Sequence, residues 1–419
     1  MSTVLRIGTH GKVEPVAAPE SVRGADLDTR IAMIQTLIPL GLDAVAVELQ
    51  HEVERLAGPR YAHRDDAPHR VRWGRQRGSI YLADQKLAIQ VPRVRNRQAG
   101  TEVPLESYQR LQTPRAADEG VLRRVLYGLS CRDYQIAAEA VPEAFGRSRS
   151  SISRRYVRAT ARKLQALQER RLNQETFVAV ILDGKRFAAD TMVVALGLTS
   201  RGEKRVLGFV QTGTENAVAC AAFLRGLVER GLRVPEGILV VLDGGKGLRR
   251  AVHEVFGAQA QVQRCIWHKR ENVVAHLPKA VQAVWRAKLQ RAWRHATYAE
   301  AHPALQRLHQ ELRRLNEDAA RSLAEGLDET LTLHRLGVAD RLGCSLLTTN
   351  SLESILALVE QRVGKVDRWT TSDQKHRWLA TTLLELEPRL RRVRGYRVLA
   401  QLRVALKGAI TQAKEVKVA

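Results

Sequence analysis

Two short apolar runs, each ending in Asp-Gly, constrain this chain more than any other feature. One is Phe177–Leu182, followed by Asp183-Gly184; the other is Ile238-Leu-Val-Val-Leu242, followed by Asp243-Gly-Gly. A run of five or six apolar residues without polar alternation reads as a strand buried on both faces, and the glycine after it as a tight turn. Such strands need helices covering both sides of their sheet. A helical pattern follows the second run, then a further strand expected to end in Cys265 and His268. Thr191–Thr199 and Arg205–Gln211 also read as strands, separated by a turn at Ser200-Arg-Gly202, and Ala217–Arg230 reads as a helix closed by Gly231. Three strands, a helix, a strand, a helix and a strand predict an α/β layer with a mixed sheet.

The flanking segments divide by composition. Residues 1–25 read as a loose arm, followed by helices over 27–38 and 42–57 broken at Pro39-Leu-Gly41. Between 61 and 117, Arg70, Arg72, Arg75, Arg77, Arg93, Arg95 and Arg97 surround two alternating stretches, Ser79–Leu82 and Leu87–Val91. These predict a small basic β element suited to phosphate contact. Over 118–172 the pattern is helix, turn, serine cap and helix, which predicts a helix-turn-helix whose second helix turns Arg149, Ser153, Arg154 and Arg155 toward a DNA groove. From 276 to 345 apolar residues at helical steps, such as Val281, Trp285, Leu289 and Trp293, predict an all-α tract. Residues 346–419 begin with a helix after Thr349-Asn350 and continue as a basic, helical tail. The expected domains are therefore 1–60, 61–117, 118–172, 173–275, 276–345 and 346–419.

Charge narrows the partner. Lys and Arg number 68 against 44 Asp and Glu, a formal net charge of +24. An excess of this size serves a polyanion, most often nucleic acid. The apolar runs are too short for a bilayer span, and the N-terminus lacks a signal-peptide core, so no membrane association is expected. Four widely spaced cysteines, at 131, 220, 265 and 344, argue against a disulfide framework and for a reducing, cytoplasmic location. Gly244-Gly-Lys-Gly247 lacks the spacing of a phosphate-binding Walker loop.

The acids carry the chemistry. Asp183 and Asp243 follow strands of one layer, so they can share one sheet edge, and Glu353 falls in the first turn of a later helix. Each has an ordinary explanation by itself: Asp-Gly is common turn chemistry, and Asn350-x-x-Glu353 fits a capping box. Together they would repel by about 4 kcal/mol per charged pair at about 4 Å and an effective dielectric of about 20. Hard oxygen donors in such a cluster suit Mg2+ or Mn2+. Two such ions can clamp the attacking and leaving oxygens of a phosphodiester.

The order Leu182-Asp183-Gly184, Leu242-Asp243-Gly244, Cys265-x-x-His268-Lys269 with Asn272, and Thr349-Asn350-x-x-Glu353 resembles the DDE transposases of the IS256-type (Mutator-like) group. The resemblance covers roughly 118–370. It implies an RNase H-like core interrupted by the all-α insertion and preceded by the helix-turn-helix. It implies metal-dependent cleavage at transposon ends and joining of a 3′-hydroxyl to target DNA. Asp183, Asp243 and Glu353 would then be the catalytic metal ligands for Mg2+ or Mn2+, and His268 would reach the scissile phosphate or orient an acid, with Cys265 packed beneath. Cys265 and His268 would form a signature pair, with Lys269 as a further DNA contact. The partners would be double-stranded DNA, both terminal inverted repeats and target, and a second copy of the chain in a homodimer. Glu360 is a rival to Glu353 on the same helical face, standing where many such enzymes carry a basic residue. Cys265 and His268 could alternatively form half of a structural zinc site, with Cys344 or His276 as partners. A DNA-binding relative that no longer cuts, or another RNase H-like nuclease, are the competing readings.

Overall fold

The computed structural model describes residues 3–7, 13–17, 27–60, 69–82, 85–112, 122, 125–126, 149–187, 190–213, 216–364, 366 and 368–418. They fall in two compact units, Met1–Tyr156 and Val157–Ala419.

In the first unit, β1 (Thr3–Ile7) and β2 (Val13–Ala17) pair antiparallel, so the arm expected over 1–25 contains a hairpin. One helix, α1 (Leu27–Ala57), replaces the expected helical pair and runs through Pro39. A proline inside a helix removes one backbone donor and crowds the preceding turn. Here Gly41 keeps helical backbone, so the break is not completed. β3 (Arg70–Leu82), β4 (Gln85–Asn96) and β5 (Thr101–Val103) form an antiparallel sheet, followed by α2 (Glu106–Gln112). The strands are longer than their apolar stretches because the arginines lie within them. Val45, Leu49, Val53 and Ala57 of α1 share one core with Ile80, Val91 and Val94 of this sheet. Trp73 stands at a bulge in β3, its ring 4.8 Å from the Arg95 guanidinium. The expected helix-turn-helix lies mostly outside the described residues; its second helix is α3 (Arg149–Gln168), which leads into the second unit.

The second unit is built on five strands: β6 (Phe177–Phe187), β7 (Asp190–Thr199), β8 (Lys204–Thr212), β9 (Ile238–Leu242) and β10 (Ala260–Arg264). Their order is β10-β9-β6-β7-β8; β6, β9 and β10 run parallel, and β7 and β8 antiparallel to their neighbours. The predicted mixed sheet is therefore present. Alternate residues face opposite sides of a strand. Ile238, Val240 and Leu242 pack on α4 (Ala217–Glu229) and α5 (Lys246–Phe256). Leu239 and Val241 join the larger core on the other face.

That larger core is helical. It follows α6 (Ile266–Ala275) through α7 (Lys279–Trp293), α8 (Tyr298–Leu315), α9 (Glu317–Ala324), α10 (Leu327–Thr330), α11 (Thr332–Arg335) and α12 (Ala339–Leu346). It continues in α13 (Asn350–Val363), α14 (Ser372–Leu386) and α15 (Leu399–Val418). The predicted stripe of α7 is buried at Trp285, Leu289 and Trp293, and the Trp293 indole donates to Thr330 Oγ1 at 3.0 Å. Contrary to the sequence expectation, Ala339–Val363 is long and apolar enough to pass for a membrane span. It is nevertheless two helices interrupted at 347–349, and Leu352, Ile355, Leu356 and Val359 face the core.

Candidate metal centre

Sheet register fixes the first two acids. Leu182 of β6 pairs with Leu242 of β9, and Leu242 with Arg264 of β10, all parallel. Asp183 within β6, and Asp243 and Cys265 just past the ends of β9 and β10, come next, on strands spaced about 4.8 Å apart. Pleat parity then orients the first of these. Ile181 faces the helical core, so Asp183 projects to that same face two residues on, and Asp243, just past the end of β9, acts on its carboxyl by charge. The turn reading of Asp183 fails, because β6 continues through it and pairs it with Val194. Asp243 does make a local turn contact, accepting from the Gly245 N–H at 3.0 Å.

The strand carrying Cys265 ends earlier than expected. Cys265 caps α6, and His268 lies in its first turn, because a three-residue spacing is one helical turn. The Cys265 N–H donates to the Leu242 carbonyl at 2.7 Å, tying this helix end to the sheet.

Glu353 arrives from beyond the helical tract. Thr349, fully buried, caps α13 and makes the link that sequence reasoning missed. Its hydroxyl donates to Glu353 Oε1 at 2.6 Å, and its backbone N–H donates to Cys265 Sγ at 3.4 Å. The Ile266 N–H also donates to the Leu347 carbonyl at 2.9 Å. Among the described residues, Glu353 makes no capping bond back to Asn350; its carboxylate faces the sheet edge, with Oε1 4.0 Å from His268 Nε2. Glu360 is drawn off to Lys185 at 2.9 Å and stands largely in solvent, leaving Glu353 as the acid at the cluster.

Electrostatics bind these groups together. Burial, with the charges of Asp243 and Glu353, pushes the Asp183 carboxyl up to about 7 against the pull of His268. Burial alone would lower the His268 imidazole. The Cys265 sulfur beside it and the Asp183 and Glu353 carboxylates outweigh that and raise it to about 9. Burial pushes the Cys265 thiol up, but His268 and the Thr349 N–H outweigh it and hold the thiol below its usual value. Without a metal, the protonated imidazole is the cation that offsets the acids.

Two donor sets overlap here. Asp183, Asp243 and Glu353 are all hard oxygen donors, and a buried carboxyl held partly protonated by its neighbours is the environment a divalent cation relieves. Cys265 Sγ, a His268 ring nitrogen and a Glu353 oxygen lie within 4.8 Å of one another. Tetrahedral zinc with ordinary bond lengths would bring such donors to roughly 3.5 Å apart. The sulfur is already held by Thr349, and neither Cys344 nor His276 belongs to a metal-ligating cluster among the described residues. Among the described residues, Cys265, His268 and Glu353 are the group whose ligand atoms lie close enough to hold one ion, while Asp183 and Asp243 join them through their charges.

The predicted DNA contacts divide. Ser153 and Arg154 are exposed on α3, and the side chain of Arg149 lies outside the description. Arg155 is buried, with its guanidinium over the Tyr81 ring, so it does not face a groove. Consecutive helical residues point about 100° apart, which separates Arg155 from Arg154. Lys269 is also not a surface contact: it is fully buried, 3.8 Å from Glu325.

Comparison with known proteins gives a consistent result. A family model described as "Transposase, Mutator family" matches residues 29–389. The transposase for insertion sequence element IS6120 of Mycolicibacterium smegmatis is 28% identical over 247 residues, 57% of this chain and 74% of that protein. The transposase for IS905 of Lactococcus lactis subsp. lactis is 26% identical over 231 residues, 54% of this chain and 57% of that protein. The transposase for IS256 in transposon Tn4001 of Staphylococcus aureus is 27% identical over 205 residues. That last match covers 46% of this chain and 50% of that protein, so the chain spans about half the length of several curated relatives.

Proposed function

The chain belongs to the Mutator family of transposases, and from that premise we propose that it cuts DNA at the ends of a mobile element and joins the freed 3′-hydroxyl to target DNA. Asp183, Asp243 and Glu353 hold the divalent ions, Mg2+ or Mn2+. Bound there, such ions supply a polarised nucleophile and stabilise the leaving oxyanion. The observation that carries this reading is the parallel register that pairs Leu182 with Leu242, each followed by an acid, together with the helix bearing Glu353. The sheet is read as an RNase H-like core, 276–345 as its all-α insertion, and 118–172 as a helix-turn-helix that positions the duplex through Arg154.

The chain's own groups divide the work. Thr349 fixes the Glu353 carboxylate by its 2.6 Å hydrogen bond. Cys265 holds Thr349 through the backbone N–H. His268 carries positive charge at neutral pH and lies beside Glu353, placed to contact the scissile phosphate. Two element ends are joined in one event, which calls for a homodimer. The test is nicking of duplex DNA taken from the flanks of the chain's own gene, in Mg2+, by wild type and Asp243→Ala. Wild-type nicking lost in the variant, with DNA binding retained, supports the reading. Binding by the wild type with no metal-dependent nicking overturns the enzyme and leaves a DNA-binding relative.

A further inference from the structure

A second site begins at Gly244, the residue after Asp243. There an open cleft of about 810 Å3 runs along α5 from Gly244 to Gly257, with β10 and the turn after α9 as its other walls. Its wall carries Lys246, Arg249 and Arg250, and Arg264 also lines it. Arg249 is paired with Glu329, whereas Lys246 and Arg250 are exposed and make no ion pair among the described residues.

Charge in this region is not balanced. Arg264 is 6% exposed and Lys269 is 0% exposed. Both lean on one carboxylate, Glu325, at 3.5 and 3.8 Å, and that side chain is itself 53% exposed. Arg264 Nη1 donates to the Glu325 carbonyl at 3.0 Å. Among the described residues, Arg264 Nε and Lys269 Nζ have no hydrogen-bond partner. Buried charges are ordinarily paired and hydrogen-bonded, because desolvating an unpaired ion is costly. Arg249, Arg264 and Lys269 share two carboxylates, Glu325 and Glu329, which leaves a surplus of one positive charge behind the cleft. Burial and the neighbouring Arg264 accordingly press the Lys269 ammonium down to about 8.

Backbone geometry favours the same kind of ligand. Helix α5 has Gly245 as its N-cap, with no side-chain hydrogen bond to the cap. The Gly245 N–H is taken by Asp243, and the next amides of this helix start are of the kind that favours an anion. The Arg264 guanidinium is clasped between Gly244 and Gly326, both at positive φ, and a Cβ on either would overlap it. The two glycines thus keep space for a guanidinium rather than serve only as turns.

We propose that this cleft is a phosphate subsite for the DNA strand, gripping a backbone phosphodiester next to the one cleaved at Asp243. Lys246 and Arg250 contact the phosphate directly, the α5 amides cap it, and Arg264 and Lys269 hold positive potential beneath. The subsite rests on the transposase reading and adds to it a grip that is independent of metal.

The experiment measures binding of end-bearing duplex DNA without divalent metal, over a series of salt concentrations, by wild type and Lys246→Gln/Arg250→Gln. Both residues are exposed, so folding is not at issue, and thermal unfolding should be unchanged. Each phosphate neutralised contributes about 0.9 to the slope of log affinity against log salt. The expected result is a slope shallower by about one to two in the variant. In parallel, single methylphosphonates replace the phosphates flanking the cut. Wild type should lose affinity at one or two adjacent positions, and the variant should show no further loss there. An unchanged slope and wild-type methylphosphonate sensitivity, in a variant that binds and nicks normally, would overturn the subsite alone. No DNA binding by wild type would overturn the transposase reading and the subsite with it.

Discussion

Replacing Thr349 with valine removes one hydroxyl and leaves shape and backbone intact. Thr349 is fully buried, its N–H still reaches Cys265 Sγ, and the isosteric methyl fills the same space. What is lost is the 2.6 Å bond to Glu353 Oε1. A hydrogen bond to a charged acceptor contributes about 1.5–3 kcal/mol net. The Glu353 side chain is 34% exposed, so water replaces part of the lost donor. We therefore take about 1–1.5 kcal/mol, close to a tenfold change at about 1.4 kcal/mol per decade. That agrees with the lower end of the effect of groups that orient metal ligands. Thr349→Val should weaken Mn2+ binding about tenfold in a calorimetric or EPR titration, and raise by a similar factor the Mn2+ needed for half-maximal nicking. Thr349→Ser keeps the donor and should stay within about threefold of wild type. Equal Mn2+ affinity in wild type, valine and serine variants would refute the positioning role. Equal losses in valine and serine would instead assign Thr349 to packing.

Other outcomes follow from the same geometry. Arg154→Ala should reduce DNA affinity and flatten its salt slope by about 0.9, whereas Arg155→Ala should lower the melting temperature, because Arg155 is buried against Tyr81; DNA titration and thermal melts on both variants check this. The folded-state values of Asp183, about 7, and His268, about 9, both lie above their unfolded values of about 3.9 and 6.5. Each therefore contributes stability that is full below its unfolded value and lost as pH rises through its folded value. The metal-free protein should lose the Asp183 contribution as pH rises through about 7, a loss absent in Asp183→Asn, and Mg2+ should add stability at pH 8 but not at pH 5.5; melts across pH with and without metal measure this. Gly244→Ala should destabilise by about 1–3 kcal/mol, read by denaturant unfolding, because φ is +104° and the new methyl meets Arg264.

The site was legible wherever it rested on strand periodicity. The unbroken runs before Asp183 and Asp243 required strands covered on both faces, and parity then placed Asp183 on the face of the helical core. The α7 stripe was legible for the same reason. What stayed hidden depended on tertiary partners. Thr349 is one of two adjacent threonines, and only its contact with Cys265, 84 positions away, marks it out. Arg264 and Lys269 look like two more basic residues in a basic chain; their burial follows from the helices packed over β10 and α6. A serine- and arginine-rich helix start does not reveal which side meets the Tyr81 ring, so the burial of Arg155 is not legible in it. Pro39 does not end α1, since one missing donor does not end a helix.

The most direct test of the metal centre is the anomalous scattering of a crystal soaked in Mn2+. Peaks bounded by the Asp183, Asp243 and Glu353 carboxylates are predicted, weakened or absent in Asp243→Ala. Density confined to Cys265 and His268, or none at the sheet edge while DNA nicking still requires Mn2+, would contradict the assignment.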